Sequence, residues 1–321
     1  MRSDAAGGKM KYADTHCDTL TELYLGGYSI AKAPLHISLD KAAPLNPYIQ
    51  LAAVWTDKRL TDDEAYDRFF RVVNHFRNDP ALHSGKVRLC RTKAELDSAM
   101  DEGVPAFVLA VEGARLLAGD INRLYRLHDE GVRLITLQWS GSDCIGGAWD
   151  TCDGLTDFGK SLLREMATLG ISADISHASD KTAYEILDLA EQYGLKACAS
   201  HSNSRSVRAH RRNLTDELFL RIKEQVGIVG ISMAPEHLSD TSVADSSHIC
   251  RHIHHYLSLG GEDTICLGCD FDGIGATPTD IRSIGDITHL RDILIKDGIP
   301  EDTLTKLFFG NAYRFIRGIL D

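Results

Sequence analysis

An uninterrupted apolar run, PAFVLAV (Pro105–Val111), ends directly before Glu112. Seven similar runs, separated by polar loops and helical patterns, occur at Lys11–Thr15, Tyr48–Trp55, Val132–Trp139, Ile171–Ser176, Lys196–Ser200, Ile228–Met233 and Thr264–Cys269. Near-continuous apolar runs, without strict polar alternation, are typical of parallel strands that are buried on both faces. The eight runs therefore predict eight parallel strands.

The segments between the runs carry helix-start and helix-stop signals. Thr61 and Glu64 form a capping-box pattern ahead of an apolar stripe with helical spacing. Gly194 follows the predicted helix Ser179–Tyr193, in the position of a helix-ending glycine. Strands that alternate with helices predict an α/β fold, a (β/α)8 TIM barrel. A doubly wound open sheet is the alternative, but no G-x-G-x-x-G follows a predicted strand.

The composition is that of a globular protein. The 321 residues are 43% hydrophobic and 25% charged, with only 8 Pro, which excludes collagen-like and disordered classes. We expect one barrel domain over residues 10–321 and a disordered extension or cloning remnant at residues 1–9. The 35 basic and 46 acidic residues give a formal charge of −11. An acidic chain without basic runs argues against nucleic acid and anionic membranes as partners.

Three features of the sequence predict a cytoplasmic protein. No apolar stretch reaches the length of about 18 residues that a spanning helix needs. The N-terminus, MRSDAAGGKM, has no apolar region of a secretory signal. Several of the 8 Cys lie inside apolar strand-like runs, which suits reduced, buried thiols better than a set of disulfides.

Polar residues stand at the ends of the predicted strands, where a barrel carries its active site. They are His16, Asp18, Glu112, His177, His201 and Asp270, whereas Trp55 and Trp139 end two other runs. Burying imidazoles and carboxylates without partners costs several kcal/mol, so we interpret them as a functional cluster. They suit a pair of Zn²⁺ ions, or Mn²⁺ or Co²⁺ in their place, which makes the barrel of the metal-dependent hydrolase type. Such a pair, bridged by a carboxylate and a water, generates a bridging hydroxide near neutral pH, and Asp270 is the candidate for relaying the proton.

Six motifs in chain order resemble those of the membrane dipeptidase family, also called renal dipeptidase: DTHCD (14–18), AVEGA (110–114), DISH (174–177), SHSNSRSV (200–207), RRN (211–213) and GCDFDG (268–273). The resemblance covers nearly the whole chain, and we expect a bacterial member of the family. It implies a (β/α)8 barrel with two zinc ions that hydrolyses dipeptides, in several members those with a C-terminal D-residue. By analogy with barrel enzymes of this kind, it also implies a homodimer.

The resemblance assigns roles to individual residues. It implies that His16 and Asp18 bind one zinc, that His177 and His201 bind the second, and that Glu112 bridges the two. For two further positions it implies substrate contacts. Arg212 matches the arginine that binds the substrate's C-terminal carboxylate, and Asp270 matches the acid thought to transfer the proton.

Trp139 departs from the mammalian pattern, in which a histidine follows the fourth strand. Some bacterial relatives also carry Trp there, and we interpret Trp139 as a wall against the substrate side chain. Two alternatives remain open: another amidohydrolase-type barrel that acts on a different small amide, and a barrel that binds metal or peptide without catalysis. The first usually begins with H-x-H, whereas this chain has His16-Cys-Asp18. The second alternative, a binding protein without catalysis, is favoured only by the presence of Trp139 in place of the mammalian histidine.

Two other features are given structural interpretations. The histidine-rich stretch HICRHIHH (248–255) is expected to be an exposed helix face. Asp272, which follows Asp270 by two residues, is expected to be a turn or cap residue rather than a catalytic acid.

Overall fold

The computed structural model describes residues 9–241 and 243–320. Its strands are β1 (Met10–Asp14), β2 (Leu45–Trp55), β3 (Arg88–Leu89), β4 (Ala106–Glu112), β5 (Leu134–Thr136), β6 (Ser172–Asp174), β7 (Ala197–Cys198), β8 (Val229–Ile231) and β9 (Ile265–Leu267). All pairings are parallel, and the order across the sheet is β7-β6-β5-β4-β2-β1-β9-β8, with β3 paired to β4 outside this path. Residues 1–8 of the predicted extension lie outside the described part of the chain.

Backbone contacts between β7 and β8 join the two ends of this path. Ala199 and Val229 form a parallel bridge, and the N–H of Ser202 donates to the carbonyl oxygen of Gly230 at 2.7 Å. The sheet is therefore a nearly closed eight-stranded barrel, and the predicted TIM barrel is confirmed. The additional strand β3 was not predicted, because two residues are too short for a recognisable apolar run.

Helices surround the barrel at Thr19–Gly26, Asp62–Arg77, Pro80–His83, Lys93–Glu102, Ile121–Asp129, Asp157–Leu169, Asp180–Tyr193, Asp216–Glu224, Pro235–Leu238, Ser246–Ser258, Ile287–Lys296, Glu301–Thr305 and Asn311–Gly318. The capping box of Thr61 and Glu64 is present as predicted. Ser179 caps the helix Asp180–Tyr193, and Gly194 follows it with a φ of 66°, the left-handed conformation that glycine adopts without strain. No helix in the described residues is both long and apolar enough to span a bilayer.

Both faces of strand β2 are buried, as its continuous apolar sequence predicts. Leu51 and Ala53 belong to a hydrophobic cluster that includes Phe315 of the C-terminal helix. Val54 belongs to a larger cluster that includes Phe69 of the helix Asp62–Arg77. Alternate residues of one strand thus pack in two different cores, and this leaves the strand ends as the place where polar side chains can meet.

The prediction of an exposed histidine face is wrong at His252. This side chain is fully buried on the helix Ser246–Ser258, on the same side as Ile249 and Tyr256. Its Nδ1 accepts the N–H of Ser204 at 3.1 Å, and its Nε2 lies 3.3 Å from the carbonyl oxygen of Leu238. Burial lowers the pKa of His252 to about 4, so the ring is neutral and connects three segments of the chain.

Candidate metal centre

The C-terminal ends of four neighbouring strands lie level with one another. Trp55 of β2 pairs with Glu112 of β4, Glu112 pairs with Thr136 of β5, and Thr136 pairs with Asp174 of β6. Because parallel strands in register end at one rim, the residues that follow the apolar runs converge there. The structure brings together six of the predicted site residues at this rim: His16, Asp18, Glu112, His177, His201 and Asp270.

Glu112 lies at the centre of this cluster and is buried. Its Oε1 is 3.0 Å from Nε2 of His177, 3.3 Å from Nε2 of His201 and 3.6 Å from Nε2 of His16. The same nitrogen of His16 is 3.6 Å from Oδ2 of Asp18. Burial alone would raise the pKa of Glu112, but the His16 imidazole and the other two rings hold it well below its usual range.

Hydrogen bonds on the far side of two imidazoles fix which nitrogen carries the proton. Nδ1 of His177 is 3.0 Å from the carbonyl oxygen of Trp139, which can only accept. Nδ1 of His201 is 2.7 Å from Oγ of Ser200, whose own proton is donated to Asp174. Burial lowers the pKa of both rings, so each is neutral and its Nε2 carries a lone pair. The two Nε2 atoms face each other at 3.0 Å with no proton between them.

This arrangement fits a cation. Nε2 of His16 and Oδ1 of Asp18 are also buried and have no hydrogen-bond partner, and leaving such groups unpaired is costly. Ligand atoms within 4.8 Å of one another form three groups: His16–Asp18–Glu112, Glu112–His177–His201 and His16–His201–Asp270. The first two groups share Glu112, and their nitrogen and oxygen donors suit Zn²⁺ and related divalent ions.

Arg212 is a buried cation beside the cluster. It is 4% exposed, and its Nη1 and Nη2 donate to Oγ of Ser202 and to the carbonyl oxygen of His201, each at 3.0 Å. Its Nε is buried and has no partner. No described carboxylate forms an ion pair with this guanidinium, so an anion entering the cleft would find a charged donor ready to bind it.

The cluster and Arg212 open into a cleft of about 410 Å³, whose walls include Trp55, Trp139 and Trp149. The rings of Trp55 and Trp139 are 5.1 Å apart, edge to face. Trp139 therefore lies in the wall of the cleft. The wall also contains His237, which the sequence analysis did not single out and for which no motif gave a signal.

Asp270 lies on the loop after β9 with a φ of 62°. Its Oδ1 is 3.9 Å from Nε2 of His16. Burial, together with the carboxylates of Glu112 and Asp18, outweighs His16 and raises the pKa of Asp270 well above its usual range. The position suits a group that takes up and releases a proton.

Asp272 holds this loop in place. It accepts hydrogen bonds from Oγ1 of Thr19 at 2.7 Å and from the N–H of His36 at 2.6 Å. Its own N–H donates to Nδ1 of His36 at 2.9 Å. The interpretation of Asp272 as a turn residue is thus confirmed.

Two buried aspartates beneath the cluster, Asp14 and Asp174, were not singled out from the sequence. Asp14 accepts the N–H of His16 at 2.9 Å and that of Cys269 at 3.2 Å, which ties β1 to the chain after β9. Asp174 accepts the N–H of Ser176 and that of Ser200, each at 2.9 Å, which ties β6 to β7. A sequence feature could have pointed to them, because each is an acidic residue inside an apolar run. Asp14 lies two residues before His16, and Asp174 lies three residues before His177.

A family model described as membrane dipeptidase, peptidase family M19, matches residues 3–320 of the chain. The chain belongs to the membrane dipeptidase family. It is therefore a metallo-dipeptidase, a hydrolase of peptide bonds, and the family membership predicted from the six sequence motifs is confirmed. Membership also implies a metal cofactor, for which the cluster around Glu112 provides candidate ligands.

Two relatives match at least two thirds of the chain. The chain is 30% identical over 251 residues to an uncharacterized protein in the pqqA 5′ region of Klebsiella pneumoniae, covering 74% of this chain and 91% of that protein. It is 30% identical over 222 residues to an uncharacterized dipeptidase of Schizosaccharomyces pombe, covering 67% of this chain and about half (50%) of the yeast protein.

Two crystal structures share the fold of this membrane dipeptidase family member. One is described as dipeptidase AC, a metallopeptidase, with a TM-score of 0.88 at 24% identity over 98% of both chains. The other is a metallopeptidase from Rhodobacter sphaeroides bound to a phosphinate mimic of the dipeptide L-Ala-D-Ala. It has a TM-score of 0.88 at 23% identity, over 98% of this chain and 99% of that one.

Gly273 offers a test of how tightly the acidic side of the cluster is packed. A Cβ at this position would lie 2.2 Å from Oδ2 of Asp18 and 2.5 Å from Oδ1 of Asp270. We expect Gly273→Ala to displace both carboxylates and to lower dipeptidase kcat/KM by about 100-fold, as a misplacement of about 1 Å does. Gly275→Ala is the matched control, because nothing lies within 4 Å of a Cβ there. Equal activity of the two variants would show that the loop relaxes freely.

Proposed function

We propose that this chain is a zinc-dependent dipeptidase that binds two Zn²⁺ ions, one on each side of Glu112 and each with its own pair of further ligands. His16 and Asp18 would hold one ion, and His177 and His201 the other. Mn²⁺ or Co²⁺ are possible substitutes. The observation that carries the proposal is the pair of ligand groups that share Glu112, in the second of which the Nε2 atoms of His177 and His201 face each other at 3.0 Å.

The chain's own residues would bind and orient the substrate. Two divalent ions held by these residues would activate water as the nucleophile and would polarise the scissile carbonyl. Arg212 binds the C-terminal carboxylate of the dipeptide through its free Nε–H, which is buried and otherwise unpartnered. Asp270, with its raised pKa, takes up the proton of the nucleophile and passes it to the leaving amine.

The size of the cleft supports dipeptides over longer peptides. Within about 410 Å³ the walls place Arg212 and Asp270 in one cavity, together with Asp18 and Glu112 of the cluster. A substrate with its carboxylate on Arg212 and its amine near Asp270 has both termini fixed, which leaves no exit for a third residue.

We also propose that dipeptides with a C-terminal D-residue are among the substrates. The support is the Rhodobacter sphaeroides metallopeptidase, whose bound ligand is a phosphinate mimic of L-Ala-D-Ala. In this chain Trp139 would form the wall against the substrate side chain, since its ring lies in the cleft beside Trp55.

The test is release of free amino acids from a panel that contains L-Ala-L-Ala, L-Ala-D-Ala, Gly-D-Ala and L-Ala-L-Ala-L-Ala. We expect cleavage of the dipeptides with added Zn²⁺, its loss with a chelator and its return when zinc is restored. The tripeptide should be left intact. Turnover of the tripeptide would contradict the fixed-termini argument. Absence of any cleavage by a chain that holds two zinc ions would favour another small amide as substrate.

A further inference from the structure

One buried hydroxyl lies between imidazoles that belong to different ligand groups. Oγ of Ser200 is 2.7 Å from Nδ1 of His201 and 3.3 Å from Nδ1 of His16. Its single proton is donated to Oδ2 of Asp174 at 2.5 Å. Because a hydroxyl has one proton and two lone pairs, both lone pairs remain available to accept an N–H, one from each ring.

Asp174 is held rigidly enough to fix the direction of that hydroxyl. Its side chain is fully buried. Besides the hydrogen bond from Ser200 Oγ, it accepts one from Oγ1 of Thr136 at 2.5 Å. It also accepts hydrogen bonds from the backbone N–H groups of Ser176 and Ser200 at 2.9 Å each. A carboxylate that accepts hydrogen bonds from three neighbouring strand ends is fixed in orientation. The Ser200 hydroxyl therefore donates its proton to Oδ2 of Asp174.

We propose that Asp174 and Ser200 form one positioning unit that sets the tautomers of His16 and His201 together and thereby couples the two metal sites. A neutral imidazole that donates Nδ1–H to Ser200 presents its Nε2 lone pair to the cluster, where a metal ion can bind it. Nε2 of His16 is the buried atom without a partner, and Nε2 of His201 faces Glu112 at 3.3 Å. This inference rests on the proposed function, since it requires that both groups hold metal.

The two rings serve different ions in the proposed centre, one with Asp18 and the other with His177. A partner that orients a metal-binding histidine commonly affects metal affinity 10- to 100-fold. Here the two rings share the hydroxyl of Ser200, so its removal should weaken the binding of both ions. Loss of a partner that contacts only one ring would weaken the binding of one ion.

The experiment measures zinc content of the full-length chain equilibrated against buffers of fixed free Zn²⁺, by mass spectrometry of the metal. We expect Ser200→Ala to weaken both binding steps by about 10- to 100-fold. Ser176→Ala is the matched control: its buried hydroxyl accepts the backbone N–H of His201 at 3.1 Å and contacts no imidazole nitrogen. We expect its zinc affinities to stay within about threefold of the parent chain's.

Asp174→Asn probes the same unit while keeping the side-chain volume, and thermal unfolding of the metal-free forms verifies that each variant folds. It too should weaken both steps. Parent-like zinc binding by either folded variant would overturn the proposal, and so would weakening of one step only. If the parent chain itself fails to bind two zinc ions, the metal centre of the proposed function is wrong, which is a separate result.

Discussion

Glu112→Gln is expected to abolish zinc loading at both sites and to lower dipeptidase activity by about 1,000-fold or more. The carboxylate of Glu112 is the one group common to both ligand sets, and its Oε1 lies within 3.6 Å of three imidazole nitrogens. The amide keeps the volume but removes the negative charge. Metal ions supply several kcal/mol of transition-state stabilisation, and about 4 kcal/mol corresponds to that factor in rate.

The matched control for this prediction is Glu22→Gln. Glu22 is a glutamate in the wall of the same cleft, but it belongs to none of the ligand groups. We expect its zinc content to equal that of the parent chain and its kcat to change by less than about tenfold. Zinc content and initial rates on L-Ala-D-Ala would be measured for both variants. A Glu112→Gln variant that retains two zinc ions would show that the bridging role is wrong.

The positions of the candidate ligands were predictable because parallel strands end at one rim. A polar residue directly after an apolar run, such as Glu112 after PAFVLAV, lies at the same rim as its counterparts on the neighbouring strands. No knowledge of the loops was needed for this step. The same reasoning located His16 and His201, although it could not say which nitrogen of each ring faces the cluster.

What the sequence did not reveal depends on contacts across the barrel. Ser200 resembles any strand-end serine until its distance to His16, 184 residues away, is known. The mistake at His252 has a similar origin. A stretch with four histidines suggests a polar face, but the helix turns one of them toward Ile249 and Tyr256, where backbone groups of two other segments satisfy its nitrogens.

Arg212→Met is expected to lower kcat/KM for dipeptides by about 1,000-fold while leaving the zinc content unchanged. The guanidinium is buried, and its free Nε–H is the donor proposed for the substrate carboxylate. Removing one partner of a buried charge pair costs about 2–5 kcal/mol, and 4 kcal/mol corresponds to this loss. Arg211→Met is the matched control, because the neighbouring arginine is exposed and donates to the carbonyl oxygen of Thr151.

A second substrate separates a carboxylate contact from a structural role for Arg212. The parent chain should discriminate against the dipeptide amide L-Ala-D-Ala-NH₂ by about 1,000-fold or more, since a site built to hydrogen-bond one group rejects the analogue that lacks it. In Arg212→Met that discrimination should collapse, because the free acid then loses its partner and the amide loses nothing. A variant that is slow on both substrates but still prefers the acid by the parental factor would mean that Arg212 holds Ser202 and the backbone of His201 in place, and that the carboxylate is bound elsewhere in the cleft.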